Sequence, residues 1–207
     1  MTRNADETRR KLLEAATSEF AQYGIAGARV DRITKSAGVN NALLYRYFGS
    51  KLDLFDIVYS RLVTETVDQV PLDVDDLPGY AVRLYDYYST HPNVIRLTAW
   101  SQLERPGQPL PQAARDAQQD KTERIVAAQQ EGVLPNTLPA DELLALIVHL
   151  SLANTPLVPN AQEHIDRDRR RTSVLTAARA ILNGAADTSA GSHDTVASTD
   201  SSRQHAG

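Results

Sequence analysis

A chain of 207 residues with 42% apolar side chains is long enough to bury one large core or two small ones. It contains no cysteine, which excludes a disulfide framework and any thiolate metal site and fits a reducing compartment. The charged start, Met1 to Lys11, does not read as a leader. The longest apolar stretch, Leu143 to Ala153, is too short for a membrane span and is broken by His149 and Ser151, so the expected location is the cytoplasm. The net charge of -4 hides an asymmetry: residues 1–55 carry nine Lys/Arg and six Asp/Glu, whereas the rest carries thirteen and twenty. Only the first quarter can attract phosphate by its net charge.

The first helix is expected from about Asn4, an N-cap with Glu7 three residues on, to Gly24, with Leu12, Leu13, Ala16, Phe20 and Tyr23 on its core face. A second fits Val30 to Ala37 and stops at Gly38. A third, short one fits Asn40 to Phe48. After Gly49, the Ser50 and Asp53 pair forms a capping-box pattern for a fourth, which Leu54, Phe55, Val58 and Leu62 carry to about Val70.

Pro71 to Gly79 is an acidic linker, and Pro78 opens a tyrosine-rich helix that His91-Pro92 breaks and restarts. Val94, Ile95, Leu97, Trp100 and Leu103 stripe the next helix, which ends before the Pro106 to Pro111 turn. A long polar helix follows to about Gln130, with Gly132 as its stop. Pro139 opens the most apolar helix, closed by Pro156 and Pro159. The last helix is expected from about Gln162 to Asn183, capped by Gly184, with Val174, Leu175, Ala178 and Leu182 on one face. Its Asp166 to Arg171 segment reads as intrahelical ion pairs on a solvated face. Residues 185–207 offer almost nothing to bury and are expected to form a disordered tail. No segment alternates like a strand, so the fold class is all-α with about nine helices.

The segment Arg9 to Phe55 resembles the DNA-binding domain of tetracycline-repressor (TetR) family regulators. The matching residues are Leu13, Ala16 and Phe20, Gly24, Val30 and Ile33, Ala37-Gly38-Val39, Leu44-Tyr45, Tyr47-Phe48, Ser50-Lys51 and Leu54. Beyond this quarter the likeness is one of helix number and length. The resemblance implies a helix-turn-helix domain over residues 1–50 and a helical effector-binding and dimerisation domain over 51–184.

The residues carry the same reading independently. Gly38 permits a tight turn, and Leu44 and Phe48, four apart, pin the third helix to the core. The opposite face, with Asn40, Asn41, Ala42, Tyr45 and Arg46, is then turned outward, where a recognition helix meets base edges. Asn40 and Asn41 are candidate adenine readers, and Ala42 leaves room for a thymine methyl. By the resemblance, Tyr45, Tyr47 and Lys51 contact phosphate, with Lys51 in the first turn of the fourth helix, whose free N–H groups favour anions. Two plainer roles stand beside these: Tyr47 as a packed aromatic and Asn40 as an N-cap alone. Where the family usually places a hydroxyl residue to open the second helix, this chain has Ala28 and Arg29. Arg29 either replaces that phosphate contact or lies on a solvated face.

For the remainder, the resemblance implies a homodimer through the last two helices, a two-fold palindromic site on double-stranded operator DNA, and an unknown small-molecule effector among the middle helices. Polar-tipped groups on core-forming helices are the candidate ligand contacts: Tyr85, Tyr88, Arg96, Trp100, Gln102 and His149. A lone histidine on an apolar helix, or a Trp/Tyr stripe, is equally a packing feature. No catalytic motif, metal-ligand spacing or phosphate loop is present, so neither an enzyme nor a cofactor is expected. The predicted function is therefore a sequence-specific transcriptional regulator, a repressor released from its operator by a small molecule. The alternative is an all-α small-molecule-binding protein or enzyme without operator specificity.

Overall fold

The computed structural model describes residues 2–153 and 166–187, with side chains over 5–153 and 166–183. Among the described residues there are nine α-helices and no strand: α1 Thr2–Gly27, α2 Val30–Ala37, α3 Asn41–Phe48, α4 Lys51–Gln69, α5 Leu77–Thr90, α6 Pro92–Glu104, α7 Gln112–Gln130, α8 Ala140–Ser151 and α9 Arg167–Asp187.

Local chemistry sets most of these boundaries. Gly24, at φ 72° and ψ -173°, breaks the helical run of α1, and residues 25–27 form a separate last turn. Gly38 closes α2 in the left-handed conformation at φ 72° and ψ 33°. Ser50 accepts from the Asp53 amide while the Asp53 carboxylate accepts from the Ser50 amide, the capping box expected for α4. The C-terminal end differs from expectation. The backbone stays helical through Gly184 to Asp187, because a single helical glycine costs only about 1 kcal/mol relative to alanine and Ala185 and Ala186 are the best helix formers. The expected start of that helix at Gln162, the prolines at 156 and 159, and the tail beyond Asp187 lie outside the described residues.

The buried side chains form two clusters. The first joins Leu12, Ala16 and Phe20 of α1, Ile33 of α2, Leu44 and Phe48 of α3, and Leu54, Phe55 and Val58 of α4, and it reaches Leu97 of α6 and Ala114 of α7. Each such large side chain contributes about 1.5–3 kcal/mol when fully buried, and the edge-on Phe20–Phe55 pair, centroids 5.3 Å apart, adds to this. The second cluster gathers Tyr80, Leu84 and Tyr85 of α5, Ile125 of α7, Leu143, Leu144 and Ile147 of α8, and Val174 and Ala178 of α9. Val70, which caps α4, and Leu72 of the acidic linker are buried in it too.

Three periodic assignments fail for tertiary reasons. Tyr23 is 41% exposed and lies under the Arg32 guanidinium, 4.2 Å from its ring centroid. Leu103 is 73% exposed, because α6 turns it away from both clusters. The Asp166 to Arg171 charges pair between elements: Arg167 and Arg171 both meet Asp86 of α5, at 3.5 and 3.0 Å, and Arg170 donates to the carbonyl of Ala153.

Candidate nucleic-acid interface

The α2–α3 corner is built from backbone outward. The Gly38 amide donates to the carbonyls of Lys35 and Thr34, and the Val39 amide to that of Thr34 at 3.0 Å, closing α2. Two residues on, Asn40 Oδ1 accepts from the Leu43 amide at 2.9 Å and starts α3. Leu44 and Phe48 are buried on one side of α3, which leaves Ala42, Tyr45 and Arg46 exposed on the other, with Tyr45 at 49%. Arg9 of α1 stands over the Phe48 ring at 5.6 Å, a cation–π contact between α1 and α3.

Asn41 faces the turn. Its Nδ2 donates to Asp31 Oδ1 and its Oδ1 accepts from Thr34 Oγ1, both at 2.6 Å, so one donor and the acceptor oxygen of the carboxamide clip α3 to α2. Asn40 likewise spends its Oδ1 on the cap and keeps only its NH2 group for another partner. Tyr47 is half-buried, with its ring 6.0 Å from Phe48 and packed against the first core. Arg29 is the N-cap of α2 but gives no side-chain cap; its amide donates to Glu19 Oε1 at 2.8 Å while its side chain is exposed. The Glu19 carboxylate also holds Arg32 at 2.6 Å, and this pairing raises the Arg32 guanidinium above its ordinary value.

Lys51 opens α4 and reaches back. Its Nζ donates to the carbonyls of Ala28, at 3.2 Å, and Ala26, at 3.3 Å, which fixes the ammonium beside the turn between α1 and α2. The Asp53 amide is taken by Ser50 Oγ, which leaves the amides of Lys51 and Leu52 as the first-turn donors of α4 outside the capping box. Arg29, Lys51 and the outward face of α3 therefore flank one corner of the molecule. Among the described residues no group of His, Cys, Asp and Glu has metal-binding proximity, and no helix is long and apolar enough to cross a membrane.

The six candidate ligand contacts disperse. Tyr88 alone among them lines the cavity of about 220 Å³ bordered by α4, α5, α6, α7 and α8. Tyr85 is fully buried in the second core, with its hydroxyl donating to the Arg167 carbonyl at 3.4 Å. Trp100 donates its indole N–H to the Ala21 carbonyl at 3.3 Å and so docks α6 on α1. Arg96 and Gln102 are exposed, as is His149, whose Nδ1 lies 2.6 Å from the Ala145 carbonyl. The polar groups that do line the cavity beside Tyr88 are Tyr59, Thr66, Thr98, Gln118 and Lys121. Of these, Lys121 had a visible signal: it occupies the stripe of Ala114, Ala117, Ile125 and Ala128, the apolar face of an otherwise polar helix.

Known proteins match the whole arrangement. The family profile described as bacterial regulatory proteins, tetR family, matches residues 12–58, and the tetracyclin repressor-like C-terminal domain matches residues 76–180. The chain is 37% identical over 192 residues to the HTH-type transcriptional repressor SCO4008 of Streptomyces coelicolor, covering 87% of this chain and 98% of that one. It is 27% identical over 176 residues to the HTH-type transcriptional repressor NicS of Pseudomonas putida, covering 77% and 79%. The crystal structure of the transcriptional regulator SCO4942 from Streptomyces coelicolor superposes with a TM-score of 0.74 at 31% identity, over 84% of this chain and 98% of that one. FadR from Bacillus subtilis, solved with stearoyl-CoA, shares the fold at a TM-score of 0.63 and 20% identity, over 85% and 98%. A profile over half the chain, together with that relative's near-complete coverage, places this protein in the TetR family of helix-turn-helix, DNA-binding transcriptional regulators.

Proposed function

We propose that this chain is a homodimeric cytoplasmic repressor that holds a palindromic operator and lets go when a small molecule enters the cavity bordered by α4. The observation that carries the operator reading is the orientation of α3: Leu44 and Phe48 are anchored at 0% and 4% exposure, Asn41 is clipped to α2, and Ala42, Tyr45 and Arg46 are left outward. In this reading Ala42, Arg46 and the Asn40 NH2 group meet base edges, while Tyr45, Lys51 and Arg29 set the register on phosphates. Tyr47 and Asn41 hold the helix in place.

Dimerisation is assigned to α8 and α9. Leu146 on α8 is 42% exposed, and beyond Arg169 the outer face of α9 is a row of small side chains, Thr172, Ser173, Thr176, Ala177 and Ala180, which permits close approach of a second copy. The relatives SCO4008 and NicS are named repressors, which supports that sense of regulation here.

A coupling route starts at the cavity wall. Tyr59 of α4 and Thr98 of α6 share a hydrogen bond of 3.2 Å there; Tyr59 stacks on Phe55, and Phe55 meets Phe20 of α1 edge-on. A ligand that displaces Tyr59 thus moves α4 against the core on which α3 is seated. The coupling must be reciprocal, so ligand and operator weaken each other by the same factor.

The test is selection of duplex DNA from a random pool with the wild type, Tyr45→Ala and Lys51→Ala. A palindromic motif recovered by the wild type and weakened in both variants is expected, with the salt slope of Lys51→Ala reduced by about 1. Failure of the folded wild type to select any motif would overturn the operator reading.

A further inference from the structure

The cavity contains a cation that makes no ion pair among the described residues. Lys121 projects from the apolar stripe of α7 into a space otherwise walled by side chains such as Val63, Val67, Val94 and Leu110. Among the described residues its ammonium meets no carboxylate, carbonyl or hydroxyl acceptor; the contact it makes is with the face of the Tyr80 ring, 5.9 Å from the centroid. Nearby hydroxyls are short of partners as well. Tyr80 is fully buried and its hydroxyl has no hydrogen-bond partner, and Tyr88 on the cavity wall carries no hydrogen bond to a described residue. Burial, with smaller contributions from the neighbouring Tyr80, Tyr59 and Tyr87, pushes the Tyr88 hydroxyl well above the ordinary tyrosine value. It therefore stays a proton donor. Burial also lowers Lys121 from its usual value, outweighing the neighbouring Asp120, which raises it.

A half-buried ammonium and a protonated phenol lining one cavity with an apolar wall are complementary to an anion with an apolar body. The size favours a small body: about 220 Å³ lies below the roughly 300–1,000 Å³ of typical ligand pockets, which suits a compact molecule better than a nucleotide or a long acyl chain. The charge restricts the head: Lys121 is the one basic side chain among the lining residues, so a single negative charge is matched and a dianion is not.

We infer that the effector of this regulator is a compact organic monocarboxylate, its carboxylate held by Lys121 and Tyr88 and its apolar body packed against the valines of α4 and α6. The inference rests on the cavity being the effector site.

The experiment uses the full chain and titration calorimetry with benzoate, phenylacetate and octanoate, each matched by its neutral amide, on the wild type and on Lys121→Met. Acids are expected to bind the wild type at least tenfold more tightly than their amides, and Lys121→Met to weaken them by about 10- to 150-fold, the range of a charge-assisted hydrogen bond. Lys121→Met removes a half-buried charge that makes no ion pair, so its thermal midpoint is expected not to fall, and Tyr88→Phe gives a second, milder variant with the same direction of effect.

Equal affinity for acids and amides, acid binding untouched by Lys121→Met, or no acid binding at millimolar concentration would each overturn the inference. Operator release, read in parallel on the selected duplex, separates this from the reading beneath it. Acids that bind through Lys121 without weakening operator binding would sink the effector assignment and leave the acid site standing. Amides that bind and release operator as well as the acids do would leave the effector site standing and sink its acid specificity.

Discussion

The carboxylate of Glu104, the last residue of α6, accepts the backbone N–H of Ile25 at 2.6 Å and that of Ala26 at 2.8 Å. It thereby closes the two amides freed where Gly24 breaks α1, and it joins the cavity-lining helix α6 to the DNA-binding core. Removing it leaves those donors without their acceptor, one of them partly buried, which costs about 1–3 kcal/mol. Glu104→Ala is therefore expected to lower stability by that amount in urea unfolding, and Glu104→Gln, which keeps an acceptor oxygen, by less. If α6 transmits effector binding through this contact, Glu104→Ala also reduces the factor by which ligand weakens operator binding. Unchanged stability in Glu104→Ala would show that the contact is not formed in solution.

Gly24 is the partner of that latch. Its backbone, at φ 72° and ψ -173°, lies in a region that is essentially glycine-only. A Cβ there would also sit 2.5 Å from Glu104 Oε1 and 2.9 Å from Trp100 Cε3. Backbone strain of about 1–3 kcal/mol and overpacking of similar size act together. Gly24→Ala is expected to destabilise the chain by about 2–5 kcal/mol, more than the same change at Gly38, whose added Cβ meets nothing within 4 Å. The comparison of the two variants by thermal unfolding checks the ranking.

The helix limits were legible because they are set locally, by Gly38, by the Ser50 and Asp53 box and by Pro92. The outward face of α3 was legible because Leu44 and Phe48 fix it by spacing. Asn41 was not: its amide is claimed by Asp31 and Thr34, which a helical pattern on α3 alone does not contain. For Trp100 and Tyr85 the sequence leaves ligand contact and packing side by side, because it shows an aromatic's polar tip but not the carbonyl, of Ala21 or Arg167, that takes it. Lys121 was hidden by the many charges of α7, although it stands on that helix's buried stripe.

The position of Asn41 separates two roles by experiment. A base-reading asparagine, when truncated, relaxes preference at one base pair and leaves others alone. A residue that clips α3 to α2 changes affinity for every sequence together. Asn41→Ala is expected to cost about 1 kcal/mol of stability and to weaken all operator variants by a similar factor. Asn41→Asp, which sets a second carboxylate beside Asp31, is expected to weaken them further. Loss of preference at a single adenine, with stability intact, would return Asn41 to the base-reading face.

Tyr80 gives the alkaline limit of the fold. Burial raises its hydroxyl from the ordinary 10.0 to about 12, an effect that the neighbouring Arg124 and Arg83 partly offset. The native state thus holds this proton more tightly than the unfolded chain does. Its contribution is complete below pH 10 and is lost as pH rises from about 10 to about 12, by up to about 2–3 kcal/mol. Tyr59, Tyr85 and Tyr88 are raised in the same direction, chiefly by burial, so the alkaline loss is shared. The Tyr80 hydroxyl is also buried without a partner, so Tyr80→Phe removes an uncompensated polar group. Tyr80→Phe is expected to raise stability at pH 7 by roughly 1 kcal/mol and to make the decline between pH 10 and 12 shallower. A decline as steep as the wild type's, measured by urea unfolding across that range, would show that Tyr80 is not among the groups that titrate on unfolding.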